Sequence, residues 1–123
     1  MSLDLYQQNI LEELRRPRHK GVLEPADYVV DRLNLSCGDG IKVYLKTDPN
    51  TKTIVELAWQ GEGCAISQAA MSLLSDEVIG RTLAELDRFG QVELEQLLGL
   101  EDITPGRVPC LMLGLEALQS IEV

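Results

Sequence analysis

Three cysteines and one aspartate are the residues of this chain whose types and spacing could do chemistry. Cys37 lies in Ser36-Cys37-Gly38-Asp39-Gly40, between two stretches of alternating residues. Glycines on both sides of Asp39 permit unusual backbone angles and close approach to a bound atom. The Cys-x-Asp spacing lets a thiolate and a carboxylate converge at the tip of a turn. Cys64 follows Gly61-Glu62-Gly63 and opens a helical pattern; Cys110 follows Pro105-Gly106-Arg107-Val108-Pro109 and opens another. A helix N-terminus presents unpaired N–H groups and a partial positive charge. A thiolate placed there is stabilised, so its pKa is expected below the usual value of about 8.5, with Arg107 adding to the effect at Cys110. Three thiolates and one carboxylate suit tetrahedral Zn²⁺ or one end of an iron–sulfur cluster. The alternative reading is that these are small buried hydrophobes. No pair has Cys-x-x-Cys spacing, so a zinc-finger pattern is absent.

The elements that must position these groups follow from periodicity. Residues 3 to 16 read as an amphipathic helix with Leu3, Tyr6, Ile10 and Leu14 on one face, ended by Pro17. From Tyr28 the period changes to two. Strands are expected over residues 28–35, 41–46 and 53–59, with Asp48-Pro49-Asn50 as a turn, giving an antiparallel meander. Helices are expected from Cys64 to Ile79, near 82–88 and 92–98, and from Pro109 to Ser120. The fold class is therefore α+β in one domain spanning 1–123, a three-stranded antiparallel sheet with helices packed on one face.

Composition narrows the partners. The 123 residues carry 20 acids against 11 Lys and Arg, a formal charge of −9, which excludes the phosphate-neutralising chemistry of nucleic-acid binding. No apolar run approaches the roughly 20 residues that span a bilayer, and the N-terminus is not a signal peptide, so a cytoplasmic protein is expected, with no membrane partner. Three cysteines cannot form a closed disulfide set, which leaves thiols for metal or sulfur chemistry. A chain of this length buries roughly two-thirds of its unfolded surface, enough for one core. The single histidine, His19, reads as a surface residue at a helix end, and Trp59 as packing the sheet against a helix. Glu93, Glu95, Glu101 and Asp102 read as a solvated face. With one histidine, a serine-based triad is nearly excluded.

At these residues the chain resembles the U-type iron–sulfur scaffolds, comprising IscU, SufU and the N-terminal domain of NifU. Tyr6-Gln7-Gln8-Asn9-Ile10 with Pro17-Arg18-His19-Lys20-Gly21 is similar to the family's opening helix and its Pro-Arg-x-x-Gly element. Cys37-Gly38-Asp39, Gly61-Glu62-Gly63-Cys64-Ala65-Ile66-Ser67 and Pro105-Gly106-Arg107-Val108-Pro109-Cys110 resemble its three ligand motifs, in order. The resemblance implies that Cys37, Asp39, Cys64 and Cys110 bind iron or a [2Fe–2S] cluster, or Zn²⁺ in SufU-type members. It implies that Cys110, with Cys64 and Cys37, accepts sulfur from a cysteine desulfurase, and that clusters pass to recipient apo iron–sulfur proteins. A SufU-type zinc-dependent sulfurtransferase that activates its desulfurase is the alternative; a structural metal-binding module is a second. Pro109 stands where IscU-type members have histidine. Ile103-Thr104-Pro105-Gly106-Arg107 replaces their Leu-Pro-Pro-Val-Lys segment, which puts recognition by a dedicated Hsp70 chaperone in doubt.

Overall fold

A computed structural model describes residues 2–34, 38–99, 103 and 105–121. The chain runs through helix α1 (Ser2–Arg15), then strands β1 (Tyr28–Asn34), β2 (Asp39–Thr47) and β3 (Ile54–Glu62). Helix α2 (Ala65–Val78), a 3₁₀ turn at Ala84–Arg88, α3 (Gln91–Leu98), a second 3₁₀ turn at Pro105–Arg107 and α4 (Val108–Gln119) complete it. This is the α+β arrangement expected from the change of period.

The strands pair antiparallel in the order β1-β2-β3. Because successive side chains point to opposite faces, the register decides which residues meet the helices. Val43 lies beside Val30 and Trp59, and Leu45 beside Tyr28 and Leu57. Ile41, Val43, Leu45, Leu57 and Trp59 are buried on this inner face. Each buried branched residue contributes about 1.5–3 kcal/mol. Helix α4 lies against β1 and β2, α2 against β3, and α2 packs on both α4 and α1. No helix is long and apolar enough to cross a membrane among the described residues.

Strand β3 runs three residues beyond its expected end at Trp59. Gly61 and Glu62 pair with Ile41 and Gly40, although glycine is a poor strand former. Ladder hydrogen bonds to β2 extend the strand there, and this carries β3 to the edge of the candidate site.

Helix α1 also differs from its periodicity. Leu14 is 38% exposed, while Glu13, one position earlier, is 7% exposed. A buried carboxylate is costly unless it is paired, and Glu13 is. It accepts a hydrogen bond from Ser72 Oγ at 2.7 Å, and Arg18 Nε lies 3.3 Å from it. Ser72 Oγ in turn accepts from Arg18 N at 2.8 Å. The Arg18 carbonyl accepts from Trp59 Nε1 at 2.7 Å and from Ser75 Oγ at 3.1 Å. Gly21 N donates to Trp59 O and Trp59 N to His19 O, so residues 19–21 lie along the outer edge of β3. The Pro-Arg-His-Lys-Gly segment is thus a strap that joins α1, α2 and β3. Ser72→Ala should destabilise the protein by about 1–3 kcal/mol, because the buried Glu13 carboxylate loses its hydroxyl donor and the Arg18 N–H its acceptor. Urea denaturation would show this, and an unchanged midpoint would remove the strap's role.

Glu93 is not part of a solvated face. Its Oε1 accepts from Gly90 N at 2.6 Å, capping the start of α3. Glu95 accepts from the neighbouring Gln91 side chain at 3.0 Å. Glu101 and Asp102 lie outside the described residues.

Candidate metal centre

Asp39 is the first residue of β2, and register places its side chain on the inner face with Ile41, where it is 1% exposed. Cys64 caps the N-terminus of α2 in an extended conformation (φ −72°, ψ 162°), without a side-chain capping bond. Cys110 is the third residue of α4 and is 4% exposed. Pro109 occupies a first-turn position of α4, where a missing N–H costs nothing. Two helix N-termini and one strand end therefore point their reactive groups toward one place. The ligand atoms of Asp39, Cys64 and Cys110 all lie within 4.8 Å of one another.

The first two are joined directly. Cys64 N donates to Asp39 Oδ1 at 2.9 Å, a charge-assisted bond across 25 residues of sequence. The Cys64 carbonyl accepts from Gln68 N at 3.2 Å, which begins α2, and from Ser67 Oγ at 3.0 Å. Ser67 was missed as a site-supporting residue. Its signal was a serine three positions after the presumed helix start, the spacing from which a hydroxyl reaches back to a carbonyl.

Gly63 makes the close approach possible. Its φ is +132°, and a Cβ built there would overlap the Asp39 carboxylate. Only a residue without a side chain lets the Cys64 amide reach Asp39.

The donor set fits a tetrahedral ion. Zinc–sulfur and zinc–oxygen bonds of about 2.3 Å and 2.0–2.2 Å set neighbouring ligand atoms about 3.5–3.8 Å apart. The ligand-atom separations, all within 4.8 Å, exceed that range by about an ångström at most. In the thiolate form a cysteine both ligates metal and attacks sulfur. Cys37 lies outside the described residues; on either side of it Asn34 and Asp39 are paired in register. Arg107 is exposed at the start of α4. His19 is not in the cluster. Its Nε2 lies 3.1 Å from Asp76 Oδ1 on the far part of α2, and this bond, with Arg18, holds the Asp76 carboxyl below its usual range.

Residues 5–121 match the model of the NifU-like N terminal domain. The chain belongs to this family. Among relatives of this NifU-like domain, the zinc-dependent sulfurtransferase SufU of Bacillus subtilis is 33% identical, over 94% of the chain and 87% of that protein. The iron–sulfur cluster assembly scaffold protein IscU of Thermotoga maritima is 28% identical, over 94% of the chain and 90% of that protein. A solved structure of the N-terminal part of a nitrogen-fixing NifU-like protein from Brucella abortus shares the fold, with a TM-score of 0.79 at 22% identity. It covers 97% of this chain and 93% of that one. The three-stranded sheet with its layer of helices is thus the architecture of the family.

Proposed function

We propose that this NifU-like domain is a scaffold for iron–sulfur cluster assembly. It accepts sulfur from a cysteine desulfurase and holds iron or a [2Fe–2S] cluster, as cargo, through Cys37, Asp39, Cys64 and Cys110. Recipient apo iron–sulfur proteins then take the cluster. The observation that supports this most is the convergence of Asp39, Cys64 and Cys110 within 4.8 Å from three separate elements.

The sulfur step is a thiolate exchange. The Cys110 thiolate attacks the terminal sulfur of the donor's persulfide and forms a new S–S bond. The donor's own S–S bond breaks, its cysteine leaves as a thiolate, and the transferred sulfur keeps its proton. No net oxidation or reduction occurs. A thiolate at a helix N-terminus suits the attacking role.

Anaerobic incubation with iron, cysteine and a cysteine desulfurase should produce a thiolate-to-iron absorption band and a persulfide on Cys110 by mass spectrometry. Absence of both would remove this reading. A second reading keeps the same residues and gives them Zn²⁺ permanently, making the chain a sulfurtransferase that activates its desulfurase. The likeness to Bacillus subtilis SufU and the proline before Cys110 favour it. Metal and acid-labile sulfide analysis of protein purified without oxygen separates the two. Stoichiometric zinc without sulfide selects the second, and iron with sulfide the first.

A further inference from the structure

Helix α2 is buried almost all round near its start. Every residue from Ile66 to Ser72 is buried, and among them Gln68 carries the one side-chain amide, at 9% exposure. A buried amide costs free energy unless its donors and acceptor are met, and a methionine would fill the same space without that cost. Gln68 therefore needs partners, and it has them on the end of β3. In the amide orientation that serves both ends, Nε2 donates to Gly61 O and Oε1 accepts from Glu62 N, each at 3.2 Å. Gly61 makes the room for this. A Cβ built there would stand 3.1 Å from the Gln68 amide and 2.6 Å from Ile41 Cδ1.

The segment gripped by this amide is one with little else to hold it. Gly61-Glu62-Gly63-Cys64 leads from the sheet to the N-cap of α2, and two of its four residues are glycines, which have the most backbone freedom to lose. One side of β3 is paired with β2 as far as Glu62. On the other side, among the described residues, backbone bonds from the strap stop at Trp59. Gln68 lies one turn into α2 from Cys64, and its own N–H donates to the Cys64 carbonyl at 3.2 Å. Its backbone thus holds one end of the turn and its side chain the other. The bond from Cys64 N to Asp39 Oδ1, which joins two residues of the metal centre, lies within the span so held.

We propose that Gln68 is a positioning residue of the metal centre, acting through Cys64 rather than as a ligand itself. It keeps the Gly61–Cys64 turn closed in the metal-free protein, so that Cys64 and Asp39 already stand together when an ion arrives. This deepens the scaffold reading above and rests on it. A site formed only part of the time binds its ion more weakly by that fraction, so loss of the grip is read as loss of affinity.

The test uses Gln68→Met, which keeps the bulk and removes both polar ends. In the apoprotein, hydrogen exchange at the Cys64 amide should quicken by about tenfold or more, the factor that two lost hydrogen bonds carry. Zinc affinity, read by competition with a chelator, should fall about 10- to 100-fold, the range for loss of an outer-shell partner. The Co²⁺-loaded variant should show altered ligand-field bands. Gln119→Met is the control. Its amide also serves backbone carbonyls, Leu86 O at 2.9 Å and Phe89 O at 3.0 Å, but nine residues along α4 from Cys110. It should lower the urea midpoint and leave Cys64 exchange and zinc affinity as in wild type. Wild-type exchange or wild-type zinc affinity in folded Gln68→Met overturns the inference and leaves the scaffold reading in place. Equal loss of affinity in Gln119→Met does the same. Should Gln68→Met fail to fold by circular dichroism, Gln68→Glu replaces it. That carboxylate still accepts from Glu62 N but offers Gly61 O no donor, so affinity should fall, and wild-type affinity overturns the inference. A wild-type protein that takes up neither zinc nor iron and gains no sulfur removes the scaffold reading, and the inference with it.

Discussion

Cys64→Ser should lower the affinity for Zn²⁺ by at least about 100-fold while leaving the apoprotein as stable as before, or slightly more so. Loss of an outer-shell partner alone costs 10–100-fold in metal affinity, so loss of a ligand belongs at the upper end or beyond. The stability side follows from the position of Cys64. It is the N-cap of α2, and its side chain makes no capping bond. Serine is a preferred N-cap, worth about 0.5–2 kcal/mol over a non-capping residue when its hydroxyl reaches a first-turn N–H. Competition with a chromophoric chelator reads the first quantity, and urea denaturation of the apoprotein the second. Unchanged zinc affinity would sink the assignment of Cys64 as a ligand. The same variant addresses the structural-module alternative. If sulfur transfer or cluster formation persists and only the melting temperature falls, the metal serves the fold alone.

Gly63→Ala is expected to destabilise the protein by about 2–5 kcal/mol and to weaken metal binding at the same time. Two costs combine. An L-residue at φ +132° is strained by about 1–3 kcal/mol. In addition, the new methyl overlaps the Asp39 carboxylate, which is 1% exposed and has no route to solvent. Relief requires parting Asp39 from the Cys64 amide, which breaks the bond that holds these two groups of the cluster together. Gly106→Ala is the matched control. Nothing lies within 4 Å of a Cβ built there, and its φ is not positive, so stability should change by less than about 0.5 kcal/mol. Equal behaviour of the two variants would show that the close approach at Gly63 does not matter.

Much of the architecture was legible in the residues. Alternation through Ile41, Val43 and Leu45 marked β2, and Pro17 and Pro109 marked where helices end and begin. Misreadings arose where a long-range partner outweighed the local pattern. Periodicity favoured Leu14 for the inner face of α1. Glu13 takes a buried place because Ser72, 59 residues away, donates to it. Gly61 and Glu62 lack strand propensity and are nonetheless held in β3 by β2. Glu93 looked like one more surface acid until the Gly90 amide was seen to need an acceptor.

The chain by itself determined the types of the candidate ligands and their local settings: a cysteine and an aspartate in a glycine-rich turn between strands, and two cysteines at the starts of helices. Period and capping chemistry are carried by neighbours a few residues apart, so they can be read without a fold. Which of these groups meet is another matter. Asp39 and Cys64 are 25 residues apart, and Cys110 belongs to the last helix. They converge because α2 and α4 share the inner face of one sheet, with the start of each helix beside the start of β2. That convergence depends on strand register and on a missing side chain at Gly63, terms that appear only when distant segments pack.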